Sequence, residues 1–371
     1  MNKIKGYYIH FEGRQSIGVS KKIDMQIEEF NKWFDMQEIE IKAVPRNLLK
    51  RIIGLFPTMS IAREYEKALQ QIEQPDFIYV RRTVADHDYL KFFRKVKEMY
   101  PKCKIIIEIF TYPYDKDDFG KWNAWPFYIK ERIYRKRLKN YIDRFVTYSD
   151  DKGIFGVPTI CTTNGVDAGK VKKVSGDFEP DKITMMGVAY MQRQHGFERI
   201  IEGMREYYNC KENTPKVFLR LVGDGPEKKY YENMVERYQL DKYISFYPTT
   251  TGEELDRLYD ESDIALAAFG FYKVGFYKGN SSLKACESLV KGLPVATGCS
   301  IAGIDENCPF VFLFPNNNST VKIKEIIAAF QKLQKKYDYD KEKLTNSIRN
   351  FSVEKVGIDI AMQPIIDYVR G

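Results

Sequence analysis

The stretch GNSSLKACESLVKGLPVATG, residues 279–298, decides how the chain is read. Its small residues, Gly279 to Ser282, form a loop at the start of a helix, where backbone amides without intrahelical partners favour a phosphate. Ser281, Ser282 and Leu283 stand where those amides fall. Glu287 lies five residues into the helix, within reach of a pair of sugar hydroxyls. GLPV then closes the helix and starts another strand. The plainer reading of the same residues is a serine N-cap with a solvated glutamate.

Three further segments sit at predicted strand ends, where doubly wound sheets bind ligands. In LVGDGPE, 221–227, Gly223 and Gly225 allow a tight turn between a strand and a helix; an ordinary connecting turn would look the same. In YMQRQHG, 190–196, Arg193 supplies a cation, which on a loop is more often simply solvated. TTNGVD, 162–167, reads as a turn at the junction of two domains.

Working outward, strands alternate with helices along the chain, which argues for parallel doubly wound sheets. IKGYYIH, PDFIYVRR, KCKIIIEIF and DRFVTYS read as strands of a first half. An amphipathic helix runs through Ile23, Ile27, Phe30 and Phe34, another spans 88–99, and a basic one spans 126–141. The pattern restarts with KITMMGVAY, VFLRLVGDG, KYISFYP, DIALAAF and LPVATG, with helices at 197–207, 226–239, 252–260 and 282–291. The polar, aperiodic 168–181 places a domain boundary. The predicted organisation is 1–170, 171–352, and a last helix in 353–371 crossing back to the first domain, after a break at Phe351-Ser352.

Composition narrows the function classes. The chain has 371 residues, 44% hydrophobic and 30% charged, as expected of a globular protein of about two domains. No apolar run approaches a membrane span and the first residues open no signal peptide, so the expectation is a cytoplasmic protein. Six scattered cysteines and three histidines give no zinc-ligand spacing; no metal and no cofactor are expected. The net charge of +8 is uneven: residues 1–170 carry 31 basic and 23 acidic residues, the remainder 28 of each. The basic residues follow neither a recognition helix nor an RNA-binding motif, so no nucleic-acid partner is expected.

Taken together, NGVD (164–167), HGFERII (195–201), LVGDGPE (221–227) and ESLVKGLPV (287–295) resemble the retaining glycosyltransferases of family 4. That resemblance implies an α/β chain of GT-B fold, two facing Rossmann-like doubly wound domains with a cleft between them. It further implies transfer of a sugar, with retention, from a nucleoside diphosphate sugar to a glycan or lipid-linked acceptor in cell-surface polysaccharide assembly. Uridine diphosphate is the default carrier.

By the same resemblance, Glu287 matches the second glutamate of an E-x7-E motif and holds the donor ribose, while Ser282 and Leu283 bind the donor diphosphate. The chain departs from the family at three places. Gly279 stands for the first glutamate, His195 for a lysine, and Arg193 for an arginine usually near position 190. Lys278 and Lys284 add positive charge, and with Gly223, Gly225, Ser281 and His195 they complete the donor-binding set that the resemblance implies. The leaving diphosphate develops negative charge, which Arg193 and the 281–283 amides can meet without a metal. The resemblance also implies front-face attack in which the leaving phosphate takes the acceptor's proton.

In the first half, Gly13, Arg14 and Gly18 lie where such enzymes carry a glycine-rich acceptor loop. Glu108 is the candidate catalytic carboxylate on that side; a buried glutamate paired with Arg81 or Arg82 reads equally well. Arg81 is itself a candidate acceptor-side contact. Residues 128–145 hold seven basic residues (130, 132, 135, 136, 137, 139 and 144) against Glu131 and Asp143, with apolar residues at helical spacing. One reading is a solvated outer helix, the other peripheral docking on anionic lipid at the inner face of the cytoplasmic membrane. A nucleotide-sugar 2-epimerase and a degenerate nucleotide-sugar-binding module are the competing assignments.

Overall fold

Apolar runs at 77–80, 105–107 and 217–219 set central strands of two mainly parallel sheets. The computed structural model describes residues 3–11, 17–44, 56, 60–61, 63–115, 124–210, 214–275 and 282–371. The chain separates into two units, Met1–Thr162 with Ile358–Gly371, and Thr163–Gly357.

Among the described residues, the first unit holds strands β1 (Lys5–His10), β2 (Asp35–Glu40), β3 (Phe77–Arg81), β4 (Lys104–Ile109), β5 (Arg144–Thr147), β6 (Gly153–Ile154) and β7 (Val157–Cys161). Their order is β2-β1-β3-β4-β5-β7-β6, parallel except for the β6–β7 pair. Strand alternation sends successive residues to opposite faces. Tyr7, Ile9, Ile78, Val80, Ile105 and Ile107 enter one core with helices α2 (Tyr65–Gln71) and α3 (His87–Met99). Tyr8, Phe77, Tyr79, Ile106 and Val146 enter the other, together with apolar residues of α1 (Ile17–Asn31). Asp86 caps α3 by accepting from the Tyr89 amide at 2.9 Å.

The second unit carries β8 (Lys182–Val188), α5 (Glu198–Tyr208), β9 (Lys216–Val222), α6 (Lys228–Arg237), β10 (Ile244–Tyr247), α7 (Gly252–Asp260), β11 (Ile264–Leu266), α8 (Leu283–Lys291), β12 (Val295–Thr297), β13 (Val311–Leu313), α9 (Ile323–Lys336) and α10 (Lys341–Val356). The strand order β10-β9-β8-β11-β12-β13 is parallel throughout. Connections from β8 run to β9 on one side, and the chain returns to β11 on the other. The crevice at the carboxyl ends of β8 and β11 is therefore a topological switch point, the usual place for a ligand in such sheets.

Several elements differ from the sequence reading. The helix predicted through Phe34 ends at Asn31, and β2 follows at once. β2 lies at one end of the sheet order and buries only Met36 and Ile39, too few apolar positions to announce a strand. The basic helix is an α-helix, α4, only over Trp125–Tyr134, continuing as a 3-10 turn over Arg135–Asn140 before β5. Phe351 and Ser352 lie inside α10, where the Ser352 hydroxyl returns to the Ile348 carbonyl at 2.6 Å. The break comes at Gly357, which adopts φ −58° and ψ 148°, and α11 follows over Ile358–Arg370. The units divide at 162/163 rather than in the polar stretch. The Val166 amide bonds to Val356 at 2.9 Å, Val174 to Lys291 at 2.9 Å, and Arg349 to the Ala168 carbonyl at 2.6 Å.

Candidate functional site

The carboxyl edge of the second sheet is laced together by backbone bonds between its loops. After β8, Ala189 donates to Val222 at 3.0 Å and Met191 to Asp224 at 2.5 Å, while Glu227 donates back to Met191 at 3.1 Å. The Phe269 and Gly270 amides, after β11, donate to His195 and Gln194 at 2.8 and 3.0 Å. Approach this close requires glycine. Gly223 and Gly225 have φ of +130° and +141°, and a Cβ on them would lie 2.0 Å from the Ala189 carbonyl oxygen and 2.4 Å from that of Met191. The two glycines read from the sequence thus shape this edge through the backbone.

Ser282 is the residue before α8, and its side chain does not cap the helix. Among the described residues no bond to the amides of the first turn, Leu283 and Lys284 included, replaces that cap. One turn on, Glu287 is half-buried and its Oε2 takes the Lys284 ammonium at 3.0 Å. Burial pulls the Lys284 pKa down, but the Glu287 carboxylate more than offsets this and the value is raised. Lys284 is thus paired with Glu287 within the helix instead of standing as a separate cation.

Arg193 is exposed at the tip of the 190–196 turn. His195 is half-buried on the same turn and stacks on Phe197 at 5.9 Å. Its Nδ1 accepts the Gln192 amide at 3.0 Å, and burial pushes its pKa down to about 4. Arg199, which the sequence reading passed over, is buried. It donates to the Ser319, Phe269 and Pro315 carbonyls at 2.6, 2.6 and 2.9 Å, fixing the loop after β11.

In the first unit, Glu108 ends β4 on the face covered by α1 and has no exposed surface. Arg81 at 3.0 Å, Lys22 at 3.2 Å, Gln26 at 3.0 Å and the Tyr148 hydroxyl all engage its carboxylate. Burial alone would raise its pKa; the charges of Lys22 and Arg81, with the two hydrogen bonds, override that and hold it at about 2. Of the two readings of Glu108, the geometry is that of the buried pair, formed with Arg81. A carboxylate sealed among four donors has no free face for a reacting hydroxyl, so the catalytic assignment is corrected to a structural one. Arg81 is spent on this pairing, while Arg82 lies over the Tyr114 ring at 3.7 Å. Beside them, His10 ends β1 and pairs with Glu38 at 2.8 Å.

Gly18 lies in the first turn of α1 with open space where a Cβ would stand. Gly13, Arg14, Lys278, Gly279 and Ser281 lie outside the described residues. The sequence reading missed Lys22, Gln26, Tyr148 and His10. A signal was present, since His10, Arg81, Glu108 and Tyr148 each stand at or just past the carboxyl end of a strand. Their common face could be seen only once the strands were aligned. The basic segment is also redistributed. Lys130 is buried and donates to the Phe56 carbonyl, and Arg135 is buried against Asp115 and the Phe155 ring. Arg132, Lys136, Arg137 and Lys139 remain exposed, with Trp125 and Ile133 exposed by 55% and 38%. No described helix is long and apolar enough to cross a membrane.

Residues 170–338, which include the α8 and 190–196 site, match the family model described as glycosyl transferases group 1. Among solved structures the chain is similar to a sucrose-phosphate synthase from Thermosynechococcus elongatus, with a TM-score of 0.64, 14% identity and 99% of each chain covered. Anabaena HepE, solved with UDP and glucose, gives a TM-score of 0.63 at 11% identity, covering 99% of this chain and 100% of that one. A trehalose-6-phosphate synthase studied for glycosyl transfer with retention gives 0.61 at 11% identity, with 98% of each covered. The two Rossmann-like sheets thus make up a GT-B fold. The fold is that of the GT-B glycosyltransferases, and the segment that matches the family model lies in the second unit. No curated protein sequence matches the chain.

Proposed function

We propose that this protein transfers a sugar from a nucleoside diphosphate sugar, with uridine diphosphate the default carrier, to a glycan or lipid-linked acceptor with retention, in cell-surface polysaccharide assembly. The observation that carries this reading is the start of α8: an uncapped helix N-terminus one turn before a half-buried glutamate, at the carboxyl edge of the second sheet. Amides there suit the diphosphate, and Glu287 suits the ribose hydroxyls. The exposed Arg193 guanidinium meets the charge that grows on the leaving diphosphate as the glycosidic bond breaks. Front-face attack lets that phosphate oxygen accept the acceptor's proton, so no protein carboxylate is required as a nucleophile. The sealed position of Glu108 agrees with such a mechanism. HepE, solved with UDP and glucose, and the trehalose-6-phosphate synthase studied for transfer with retention support the donor class and retention by analogy of fold.

The test is a panel of nucleoside diphosphate sugars screened by thermal shift, followed by product analysis. A ligand at 100 times its dissociation constant adds about 2.7 kcal/mol to stability. Transfer with the anomeric configuration kept is the expected result. Epimerised sugar nucleotide as the sole product would favour the 2-epimerase, and binding without turnover the non-catalytic module. Activity is expected to survive EDTA, because Arg193 and the helix amides supply the positive field. Loss in EDTA, restored by magnesium or manganese, would overturn that.

For the acceptor side we propose peripheral docking on anionic lipid through Trp125, Arg132, Ile133, Lys136, Arg137 and Lys139. An exposed tryptophan and isoleucine among cations suit a headgroup layer.

A further inference from the structure

We propose that a basic pocket of the first unit, between α3 and the 3-10 turn that follows α4, is a binding site for a phosphate monoester. Its lining draws on two elements of different period. On α3, His87, Lys91 and Arg94 stand at i, i+4 and i+7, a single stripe of an α-helix. Facing them, Tyr134 ends α4, and Arg137 and Asn140 follow at steps of three. A 3-10 helix eclipses residues three apart, so the tightening of the chain at Arg135 keeps Arg137 and Asn140 on the face that Tyr134 opens. In a continued α-helix each step of three would turn the side chain away by about 60°. The 3-10 turn thus has a use: it lines up one wall of the pocket.

Size and charge select the ligand. The cavity measures about 210 Å³. Sites for drug-sized ligands run to roughly 300–1,000 Å³, so a nucleotide sugar is too large and a phosphoryl group with a small substituent fits. Two arginines, a lysine and a histidine line the pocket, and no carboxylate does. That excess of positive charge calls for an anion. Each guanidinium offers a fork of N–H donors to phosphate oxygens, Lys91 adds a point charge, and the Asn140 amide adds neutral donors. A monoester, with three terminal oxygens and a charge near −2, uses more of these than a diester does.

The cations are held in place by aromatic contacts rather than by acids within the pocket. Arg137 lies over the Tyr134 ring at 5.6 Å, and the His87 ring stands edge-on to it at 6.5 Å. His87 also meets Asp88 through Nδ1 at 3.2 Å, but Asp88 lines the neighbouring groove on the α2 side, with Glu66. Arg94 meets Glu98 at 3.5 Å one turn along α3. Both side chains of that pair are exposed, and such a pair gives up its guanidinium to a phosphate at little cost.

Calorimetry on the full chain, with inorganic phosphate and with glycerol phosphate, tests the pocket. Working in about 0.1 M salt screens surface charges beyond roughly 10 Å. Wild-type protein should bind both anions at one site per chain. The double variant Arg94→Gln, Arg137→Gln should weaken both by at least about tenfold, as loss of hydrogen bonds to a charged acceptor does. Lys136→Gln, Lys139→Gln removes the same charge from exposed positions that do not line the pocket, and should stay within about twofold of wild type. All four side chains are exposed, and unchanged melting curves check that the variants fold. Equal losses in the two variants would assign the attraction to the general positive field and overturn the proposal. A wild-type protein that binds neither anion would overturn it as well. Arg137 also belongs to the surface proposed for lipid docking, and calorimetry without lipid separates the two roles.

A second arm finds the source of the phosphate. Phosphatidylcholine vesicles carrying phosphatidic acid, a monoester, are compared with vesicles carrying phosphatidylglycerol, a diester. A preference for phosphatidic acid that the Arg94→Gln, Arg137→Gln variant loses puts the phosphate on a headgroup. Calorimetric binding without such a preference puts it on a soluble phosphorylated molecule, and either result upholds the pocket. Failure of the pocket would leave the nucleotide-sugar reading standing, since none of these residues belongs to the second unit.

Discussion

At the scale of residues, the two carboxylates that the sequence reading singled out have opposite fates. Glu108 ends an apolar strand and is sealed among Arg81, Lys22, Gln26 and Tyr148, whereas Glu287 sits on a helix flank with one ion-pair partner and some exposure. Glu108→Gln should therefore act on stability. Breaking a buried pair from one side costs about 3–5 kcal/mol, read as a lower denaturant midpoint at pH 7. Because its pKa lies below that of the unfolded chain, the contribution of Glu108 is present above pH 4.5 and lost as pH falls through 4.5 towards 2. His195 is also lowered, to about 4 against 6.5, so the unfolded chain takes up its proton first. Wild-type thermal stability should hence start to fall as pH drops below 6.5, and the His195→Gln variant should fall less between 6.5 and 4. Glu287→Ala should leave the midpoint nearly unchanged and weaken nucleotide-sugar binding by about 1.5–3 kcal/mol, measured by calorimetry. Unaltered affinity would remove Glu287 from the site.

At the scale of elements, the loops after β8 and β9 work as one piece, because Met191 exchanges backbone bonds with the Asp224–Glu227 turn. Gly223→Ala places a methyl carbon 2.0 Å from the Ala189 carbonyl at a φ of +130°. One of the two loops must then move. We expect a melting temperature several degrees lower together with weakened UDP binding, and an unchanged melting curve would show that the loops are independent. The last helix gives a harder test. Ile358, Met362, Ile365, Ile366 and Val369 of α11 belong to the same buried cluster as Tyr8, Ile23 and Phe30. At about 1.5–3 kcal/mol for each fully buried aliphatic side chain, their removal rivals the whole stability of a domain. Truncation after Gly357 should yield insoluble protein or a chain without a cooperative melting transition.

At the scale of the whole molecule, the net charge of +8 arises in the first 170 residues, and only part of it is exposed. Sedimentation with anionic vesicles at low salt, abolished in Lys136→Glu, Arg137→Glu, Lys139→Glu protein and in high salt, is the expected outcome of the docking proposal. Arg135 is left intact in that variant because its reversal would set a buried like charge against Asp115. Wild-type protein that ignores such vesicles would make the segment a scaffold element and favour a soluble acceptor.

Much of this architecture was legible in the order of residues. Parallel strands carry apolar runs such as KCKIIIEIF and KITMMGVAY, and loops built on glycine or small residues, such as Gly223, Gly225 and Ser282, follow strand ends or precede helix starts. These are local signals, set by side-chain period and backbone freedom, so they survive without a partner in view. β2, the end of α4 and the break at Gly357 were not legible, because an outer strand with two buried residues and a helix tightening into a 3-10 turn leave little local trace. Nor could local patterning separate the paired Glu108 from a reactive one, or Lys284 from a free cation. Those outcomes depend on which strand lies beside which and on whether opposite charges meet out of water. The sequence alone determined the parallel α/β class and the glycine and small-residue loops at the strand ends; the tertiary structure alone decided which charges remain exposed, because burial and pairing are properties of neighbours that the chain brings together only on folding.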